Sequence, residues 1–467
     1  MNYELDFIQQ MRSLLGNESD AFFDALQQTP PTSIRYNRSK INELECKSGS
    51  PVAWCDNAYY LPKRPVFTAD PVLHAGGYYV QEASSMLIAH IVKQLFTAPV
   101  RALDLCAAPG GKTTLLANAL PPQSVVVANE TIAHRATILV ENVIKWGNFN
   151  VAVCQNDPQD FAQLPPLFNL LLVDAPCSGE GMFRKDKASQ ALWSSEAVQL
   201  CATRQRRIVA NAWKSLENDG FLIYSTCTFN LYENEKNVDW FVHELGAQCV
   251  EIPFVSQWNI TPSAALQGDV PKGVLGYHCF PHKLKGEGFF VAVLRKIDGG
   301  NNEKIRLPKL QKSISTKDIE RTKHHLMSSE NLIFEQRNEE IYATTPEVFQ
   351  LILALQKHLH FMLAARHIAD IKSGKWLPTI QLALSAQINK ASFERNEVSL
   401  ADALAYLSRS PMQWQPSVHK GLELVTYQGL PLGFINNLGN RYNNLFPASW
   451  RIKSNKVKFS FSTAIIR

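Results

Sequence analysis

The sequence lacks the cysteine patterns of disulfide-bonded and zinc-binding proteins. Its nine cysteines are an odd number, and they are scattered along the chain without a C-x-x-C pair. Reduced thiols are therefore expected, as in proteins of a reducing compartment. The pattern predicts no bound metal.

Long hydrophobic runs are also absent. No apolar stretch reaches the roughly 20 residues that a membrane-spanning helix needs, and the start, MNYELDFIQQM, has no basic flank of a secretory signal. A share of 45% hydrophobic and 19% charged residues is typical of a folded globular chain. The sequence thus predicts a cytoplasmic protein whose 467 residues form roughly two to four domains.

Acidic residues are scarce in the C-terminal part. Residues 298–467 contain 22 Lys and Arg against 14 Asp and Glu, whereas residues 1–297 contain 25 against 28. From Leu424 onward there are six basic residues and no acid. A basic face on a chain that is otherwise nearly neutral favours a polyanionic partner such as nucleic acid.

Two apolar runs end in cysteine-containing turns. Residues 168–173 read as a strand buried on both faces and are followed by Asp174 and Cys177, while residues 220–226 end at Cys227. Because ligands bind at the carboxyl ends of strands in open α/β sheets, both cysteines are expected to face one crevice. The alternative is that Asp174 caps a loop and Cys177 is a small buried hydrophobe.

The stretch DLCAAPGGK, residues 104–112, places a proline-glycine-glycine turn between a strand at 100–105 and a helix at 113–120. Glycines let the backbone approach a ligand closely, and the start of a helix offers unpaired amides to an anion. The dinucleotide signature G-x-G-x-x-G is absent. Glu130 and Asp157 follow two further predicted strands, so acids at successive strand ends predict a nucleoside site.

Five helix-flanked strands and a closing hairpin, residues 250–252 with 288–296, predict a Rossmann-like α/β sheet. Two short helices, 6–15 and 20–26, precede it. A capping box of Asn230 and Glu233 is expected to open a helix that runs to residue 245.

Residues 34–71 mix aromatic and basic side chains, and this composition suits either RNA stacking or an ordinary core. The mixture consists of Trp54, Tyr59, Tyr60, Phe67, Arg35, Arg38, Lys40, Lys63 and Arg64. In the tail we expect a linker at 298–317, an amphipathic helix at 347–371 and short strands with glycine turns at 421–452.

The segments DLCAAPGGKT, DAPCSGEGMF, YSTCT and YHCFPHKLKGEGFF resemble the RNA cytosine-5 methyltransferases, which use S-adenosylmethionine. The resemblance covers residues 30–296 and is specific, because amino-group methyltransferases of this fold carry an NPPY-type turn in place of DAPC. The C-terminal extension resembles that of the branch acting on bacterial 16S ribosomal RNA.

The resemblance implies a role for each matching residue. Cys227 is the nucleophile, Cys177 serves product release, Asp174 hydrogen-bonds the cytosine, and Lys112 lowers the pKa of the nucleophile. Glu130 would bind the ribose, and Asp174 borders the cofactor site as well. Asp157 would bind the adenine, although Pro158 after it departs from the family pattern and leaves Asp160 as a candidate. The loop under the methionine part of the cofactor comprises Cys106, Ala107, Ala108, Pro109, Gly110, Gly111 and Lys112.

The expected domains are an N-terminal α+β RNA-recognition region (1–95), the methyltransferase domain (96–297), a linker and helical region (298–375) and a PUA-like RNA-binding domain (376–467). The implied partner of this monomer is 16S ribosomal RNA or the assembled small subunit, with a target in the decoding region. Methylation of transfer RNA and a catalytically silent assembly factor are the alternatives. Truncation near residue 375 is expected to weaken RNA binding while sparing cofactor binding.

Overall fold

Five parallel strands form the centre of the largest sheet and bring the predicted reactive residues to one edge. The structure is a computed structural model, and it describes residues 3–41, 49–297, 307–308, 316–413 and 420–453. Most of the linker predicted at 298–317 lies outside the described residues. Within them, no helix combines the length and apolar character needed to cross a membrane.

The N-terminal unit consists of two helices followed by a four-stranded antiparallel sheet. Phe7, Met11 and Leu14 recur at helical spacing and pack against Phe183 and Phe229 of the central unit. Both predicted helices are confirmed. The elements of this part of the chain are α1 (Leu5–Leu15), α2 (Ser19–Gln27), β1 (Thr32–Tyr36), β2 (Ser50–Pro51), β3 (Ala58–Leu61), α3 (Pro71–His74), β4 (Tyr78–Val80) and α4 (Leu87–Leu95). The four strands lie in the sheet in the order β2-β3-β1-β4.

The central unit alternates strands and helices. Its strands are short, nearly continuous apolar runs because helices cover both faces of the sheet. The elements are β5 (Arg101–Asp104), α5 (Gly111–Ala119), β6 (Val125–Asn129), α6 (Ala133–Trp146), β7 (Val151–Cys154), β8 (Phe168–Asp174), α7 (Lys187–Ala191), α8 (Ser195–Trp213), β9 (Leu216–Thr226), α9 (Glu235–Leu245), β10 (Ala247–Cys249), β11 (Thr261–Pro262), β12 (Tyr277–Cys279) and β13 (Phe289–Lys296).

The parallel strands lie in the order β9-β8-β5-β6-β7. The chain runs outward from β5 to β7 and then returns to β8 on the other side of β5. This places a topological switch point between β5 and β8, where ligands bind in sheets of this kind. The closing pair differs from the predicted hairpin. Strand β13 pairs antiparallel with β9 and β12, and it also pairs with β10 at 247–249, not with residues 250–252.

The C-terminal region adds two further sheets. One has the order β14-β15-β17-β18 and the other β19-β20-β21-β22. The elements are α10 (Lys317–His324), β14 (Ile333–Arg337), β15 (Glu340–Thr344), α11 (Pro346–Leu355), β16 (Phe361–Leu363), β17 (Arg366–Lys372), β18 (Lys375–Pro378), α12 (Ile380–Ala383), β19 (Glu394–Glu397), α13 (Leu400–Ser408), β20 (Gly421–Tyr427), β21 (Leu430–Asn437) and β22 (Tyr442–Asn444).

The single helix predicted at 347–371 is wrong. Helix α11 ends at Leu355, and the chain then forms two strands. Strand β16 pairs antiparallel with β7 at the edge of the central sheet, while Ile368 and Ala369 of β17 enter an apolar core. Pairing with a strand 200 residues earlier in the chain outweighs the helical spacing of the local sequence. The strands predicted at 421–452 are confirmed as β20 to β22.

The last sheet shares a hydrophobic core with the N-terminal unit. Tyr36 and Tyr78 of the N-terminal sheet belong to the same buried cluster as Tyr406, Leu432 and Phe446. The C-terminal region is thus attached to the rest of the molecule by apolar burial as well as by the β16 strand.

Candidate active site

The carboxyl ends of the five parallel strands carry the predicted site residues in spatial order. Because neighbouring parallel strands end side by side, these residues line one continuous edge of the sheet. They are Cys227 directly after β9, Asp174 and Cys177 at and after the end of β8, the loop from Cys106 to Lys112 after β5, Glu130 after β6, and Asp157 after β7.

The two cysteines of this edge are in contact. The Sγ atoms of Cys177 and Cys227 are 3.2 Å apart, and both residues are partly accessible. The hydrogen bond with Cys227, together with burial, raises the pKa of Cys177 well above its ordinary value. Cys177 therefore keeps its proton near neutral pH and can donate a hydrogen bond to a thiolate at Cys227.

A charged pair lies next to the thiols. Lys112 Nζ is 2.8 Å from Asp174 Oδ2, and the Ser225 hydroxyl donates to Asp174 Oδ1 over 2.9 Å. Burial alone would lower the pKa of Lys112, but the charge and hydrogen bond of Asp174, together with the negative charges of Cys227 and Asp104, outweigh burial. The pKa of Lys112 is consequently raised, so this site contains a stable cation. Asp174 binds side chains here and is not a simple backbone cap.

Two buried glutamates hold the cysteine loops together in a reciprocal arrangement. Glu233, which follows Cys227, accepts from the backbone N–H of Ser178 over 3.0 Å. Glu180, which follows Cys177, accepts from the N–H groups of Phe229 and Asn230 over 2.7 and 3.0 Å. The Asn230 side chain donates to both carboxylates, at 2.8 and 3.0 Å. Each loop thus fixes the backbone of the other; we call this set of contacts the glutamate clasp.

The clasp corrects the predicted capping box of Asn230 and Glu233. Asn230 does accept from the N–H of Glu233, but helix α9 begins only at Glu235, and the Glu233 carboxylate turns toward the Cys177 loop. Sequence reasoning also missed Glu180. Its signal is an acid inside the small turn GEGMF, which becomes fully buried in the structure.

A glycine permits the close approach of the two loops. The N–H of Gly181 donates to the carbonyl oxygen of Cys227 over 2.9 Å. A Cβ atom at Gly181 would lie 2.8 Å from the Gly288 Cα and 2.9 Å from the same Cys227 carbonyl, so a larger residue would push the loops apart. The backbone of the nucleophile candidate is therefore held against the Cys177 loop.

The glycine-rich loop is tied down by its carbonyl and amide groups. The N–H of Ala107 donates to Asn129 O over 2.8 Å, and Ala108 O accepts from Arg135 over 2.8 Å. Pro109 O accepts from Asn142 over 2.7 Å. Gly110 has φ +110°, a value that favours glycine, and closes the turn into α5. These hydrogen bonds and the turn at Gly110 define the conformation of the loop.

The two acids farther along the edge differ in their surroundings. Glu130 is buried, accepts from the N–H of Ile132 over 3.0 Å and lies 3.2 Å from Arg135. Asp157 caps the short 3-10 helix Pro158–Gln163, accepting from Gln159 N over 2.9 Å, and Asp160 accepts from Asp157 N over 3.2 Å. Binding of ribose and adenine by these residues stays a prediction, as does the choice between Asp157 and Asp160.

The basic residues of the segment 34–71 separate into two groups. Arg35 is buried and bonds Gln81 and Thr114, whereas Lys40 is half-buried and donates to two backbone carbonyls. Burial lowers the pKa of Arg35 to about 10 and also lowers that of Lys40. These two cations therefore serve the core of the fold, whereas Lys63 and Arg64 remain exposed.

The chain matches three family models in succession. Residues 4–83 match the N-terminal domain of 16S rRNA methyltransferase RsmF, residues 98–295 match the 16S rRNA methyltransferase RsmB/F model, and residues 393–452 match the methyltransferase RsmF PUA domain. A protein named ribosomal RNA small subunit methyltransferase F from Enterobacter sp. (strain 638) is 32% identical over 473 residues, covering 95% of this chain and 94% of that protein. The chain belongs to the ribosomal RNA small subunit methyltransferase F family. The predicted resemblance, the PUA-like domain and the rRNA methyltransferase activity class, which uses S-adenosylmethionine, are thereby confirmed.

Solved structures share the fold of this small subunit methyltransferase F family member. A methyltransferase homolog protein from Pyrococcus horikoshii has a TM-score of 0.53 and 24% identity, over 63% of this chain and 96% of that one. NSun6 from Pyrococcus horikoshii, solved with SFG, has a TM-score of 0.51 and 20% identity, over 63% and 98%. At these identities the likeness concerns the fold, and it agrees with the predicted Rossmann-like α/β class.

Proposed function

We propose that this methyltransferase methylates carbon 5 of a cytosine in 16S ribosomal RNA through a covalent adduct with Cys227. The observation that carries the proposal is the pair of thiols 3.2 Å apart beside the Lys112–Asp174 ion pair at the switch point. Methylation of an amino group needs no thiol, because nitrogen is already nucleophilic. Carbon 5 of cytosine is not, and it requires covalent activation.

The Cys227 thiolate attacks carbon 6 of the ring. The new S–C6 bond displaces the electrons of the C5–C6 double bond, so carbon 5 becomes electron-rich. The Asp174 carboxylate accepts a hydrogen bond from the exocyclic amine and is positioned by Lys112 and Ser225.

Cys177 acts after methyl transfer. The proton on carbon 5 leaves to a base, the C5–C6 double bond re-forms, and the S–C6 bond breaks with its electron pair returning to Cys227. Because its raised pKa keeps Cys177 protonated, its thiol stabilises the departing sulfur through a hydrogen bond over 3.2 Å. In this mechanism Cys227 is the nucleophile, and Cys177 assists the release of the product.

The residues at the edge of the sheet fit S-adenosylmethionine, which would supply an electrophilic methyl group. Asp104 Oδ1 is buried and has no hydrogen-bond partner among the described residues, so an ammonium group bound under the glycine-rich loop would provide one. Residues 106–112 would hold the methionine part, Glu130 the ribose and Asp157 the adenine. Asp174 would border both the cofactor and the base.

The target cytosine has to leave its base stack to reach Cys227. The PUA-like domain and the N-terminal unit would hold the surrounding RNA, either as free 16S ribosomal RNA or within the small subunit near the decoding region. The protein would act as a monomer.

The proposal is tested by bisulfite sequencing of 16S ribosomal RNA and assembled small subunits after incubation with the purified protein and S-adenosylmethionine. One protected cytosine with the intact protein, absent with Cys227→Ala, is the expected result. No protected site on either substrate would overturn the proposal. Transfer RNA is treated in parallel; protection there alone would make transfer RNA the substrate, and RNA binding without any methylation would favour an assembly role.

A further inference from the structure

A groove of about 1000 Å³ lies between the N-terminal unit and the loops of the central unit. Residues 28–32 and 61–64 form one wall. Arg184 and Lys185, which follow the Cys177 loop, form another with Pro281, Leu284 and Lys285. None of the residues considered so far as nucleophile, base partner or cofactor ligand lines this groove.

The groove has an uncompensated positive charge. Its described lining contains five cations and no carboxylate. The buried Glu287 lies 2.9 Å from Arg184 and 3.6 Å from Lys185, so it compensates part of the charge of these two cations. Lys63, Arg64 and Lys285 are exposed and form no ion pair with another described residue. Three free cations facing one groove favour a polyanion, whose binding releases counterions.

Apolar surface alternates with these cations. Pro30, Pro31, Pro62, Leu61 and Leu284 contribute to the same walls. Aromatic rings support two of the cations: Lys285 Nζ lies 4.5 Å from the centre of the Tyr60 ring, and the Arg64 guanidinium lies 5.3 Å from the Phe67 ring. A positively charged groove that follows the backbone is a main feature by which proteins bind single-stranded nucleic acid, and the apolar side chains here add contact surface for the bases.

The groove adjoins the proposed nucleophile. Gly181 donates its N–H to the carbonyl of Cys227, and Lys185 comes only four residues later. Four residues span at most about 14 Å, so Lys185 lies within a few nucleotides of a base held at Cys227. Arg184 also donates to Gly286 O, which joins the two segments of the wall that the central unit contributes.

We propose that this groove binds the single-stranded RNA segment next to the target cytosine, with Lys63, Arg64 and Lys285 contacting its phosphates. The proposal rests on the proposed function for the identity of the base, and it adds the path of the substrate. The N-terminal unit thereby contributes to substrate binding through residues 61–64. It does not do so through Arg35, which is buried, or through Lys40, whose ammonium group is held by two backbone carbonyls.

The test compares two variants that lose the same charge. Arg64→Ala with Lys285→Ala removes two groove cations. Arg207→Ala with Lys214→Ala removes two exposed cations on the later part of α8 and directly after it, toward the amino end of β9. Affinity for a single-stranded 16S ribosomal RNA fragment is measured at several salt concentrations, and S-adenosylmethionine binding is measured by calorimetry as a check on folding.

The groove variant is expected to bind RNA at least about tenfold more weakly, and the slope of log affinity against log salt should fall by about 1.4 for two lost phosphate contacts. The control should match the unaltered protein, and all three proteins should bind S-adenosylmethionine equally. If the groove variant keeps the RNA affinity and the salt dependence of the unaltered protein, the groove proposal is wrong. Loss of binding to assembled subunits alone would overturn it too, because a ribosomal protein would then be the occupant.

The two proposals fail separately in this design. If the unaltered protein methylates no cytosine but the groove variant still loses RNA affinity and salt dependence, the groove proposal is supported and the proposed function is wrong. If a cytosine is methylated and the groove variant binds RNA like the control, only the groove proposal falls.

Discussion

The cysteine edge and the C-terminal region are held by different forces. At the cysteine edge, buried carboxylates, amides and backbone N–H groups fix the two reactive loops, and Glu180 and Glu233 each contact the opposite loop. The last sheet is instead attached through an apolar cluster that includes Leu432, Tyr406 and Tyr78. Directional hydrogen bonds define the position of reacting groups, whereas apolar burial mainly supplies adhesion.

This difference predicts two kinds of mutational effect. Changes at the cysteine edge should alter turnover more than stability, and changes in the shared core should alter stability more than turnover. The apolar attachment also changes how the truncation near residue 375 has to be interpreted. Such a truncation would remove the apolar cover of the N-terminal sheet. Weaker RNA binding by the truncated protein would therefore not distinguish a docking role of the C-terminal region from a structural one.

The largest effect is expected at the thiols. Cys227→Ala should reduce methyl transfer by at least about 1000-fold, since the adduct cannot form. Cys177→Ala should form the adduct but release it slowly, so a covalent protein–RNA complex should accumulate. Transfer of a labelled methyl group and denaturing gels measure these results, and exchanged phenotypes would reverse the assignment of the two thiols.

The shared core should respond next. Leu432 is buried between the C-terminal and N-terminal sheets, so Leu432→Ala should lower the free energy of unfolding by about 2–5 kcal/mol. Leu445, which is 42% exposed, provides the control, and Leu445→Ala should change it by less than about 0.5 kcal/mol. Urea unfolding measures both. Equal stability of the two variants would show that the apolar attachment is dispensable.

The glutamate clasp should give a smaller, mixed effect. Glu233→Ala leaves the Ser178 N–H and the Gln205 amide without their acceptor, which should cost about 1–3 kcal/mol of stability. It should also lower kcat by roughly tenfold with little change in the KM for S-adenosylmethionine, because the Cys177 loop loses its position. Glu233→Gln retains one acceptor oxygen and should recover part of the kcat. Equal kcat values for all three proteins would reduce the clasp to a structural role.

The smallest effect is a shift with pH. Burial, opposed by a hydrogen bond from Thr113, raises the pKa of Asp104 to about 7. The folded state therefore favours the protonated carboxyl. The resulting contribution to the free energy of unfolding is fully present below the pKa of the unfolded chain, near 3.9, and is lost as the pH rises through about 7. Between pH 5.5 and 8.5 the Tm of the cofactor-free protein should fall more than that of Asp104→Asn. Parallel Tm profiles would contradict the raised pKa.

The sequence by itself determined the central sheet and which residues lie at its reactive edge. Runs such as residues 168–173 have no polar alternation, so they had to be buried strands, and the residues after them had to meet at one edge because parallel strands end together. Cys177, Cys227, Asp174 and the glycine-rich loop were accessible to this reasoning. The N-terminal helices were predicted for a similar reason, since their apolar spacing is local.

Only the tertiary structure decided which polar groups pair and which cations are free. Glu180 and Glu233 find partners about 50 residues away along the chain, and Arg35 is buried against Thr114. Arg35 and Arg64 belong to the same aromatic and basic segment of the sequence, yet one is structural and the other lines a groove. Strand β16 forms because the edge of β7 offers unpaired backbone groups. Local periodicity specifies helices and strands, but burial and hydrogen-bond partners depend on segments distant in sequence that only folding brings together.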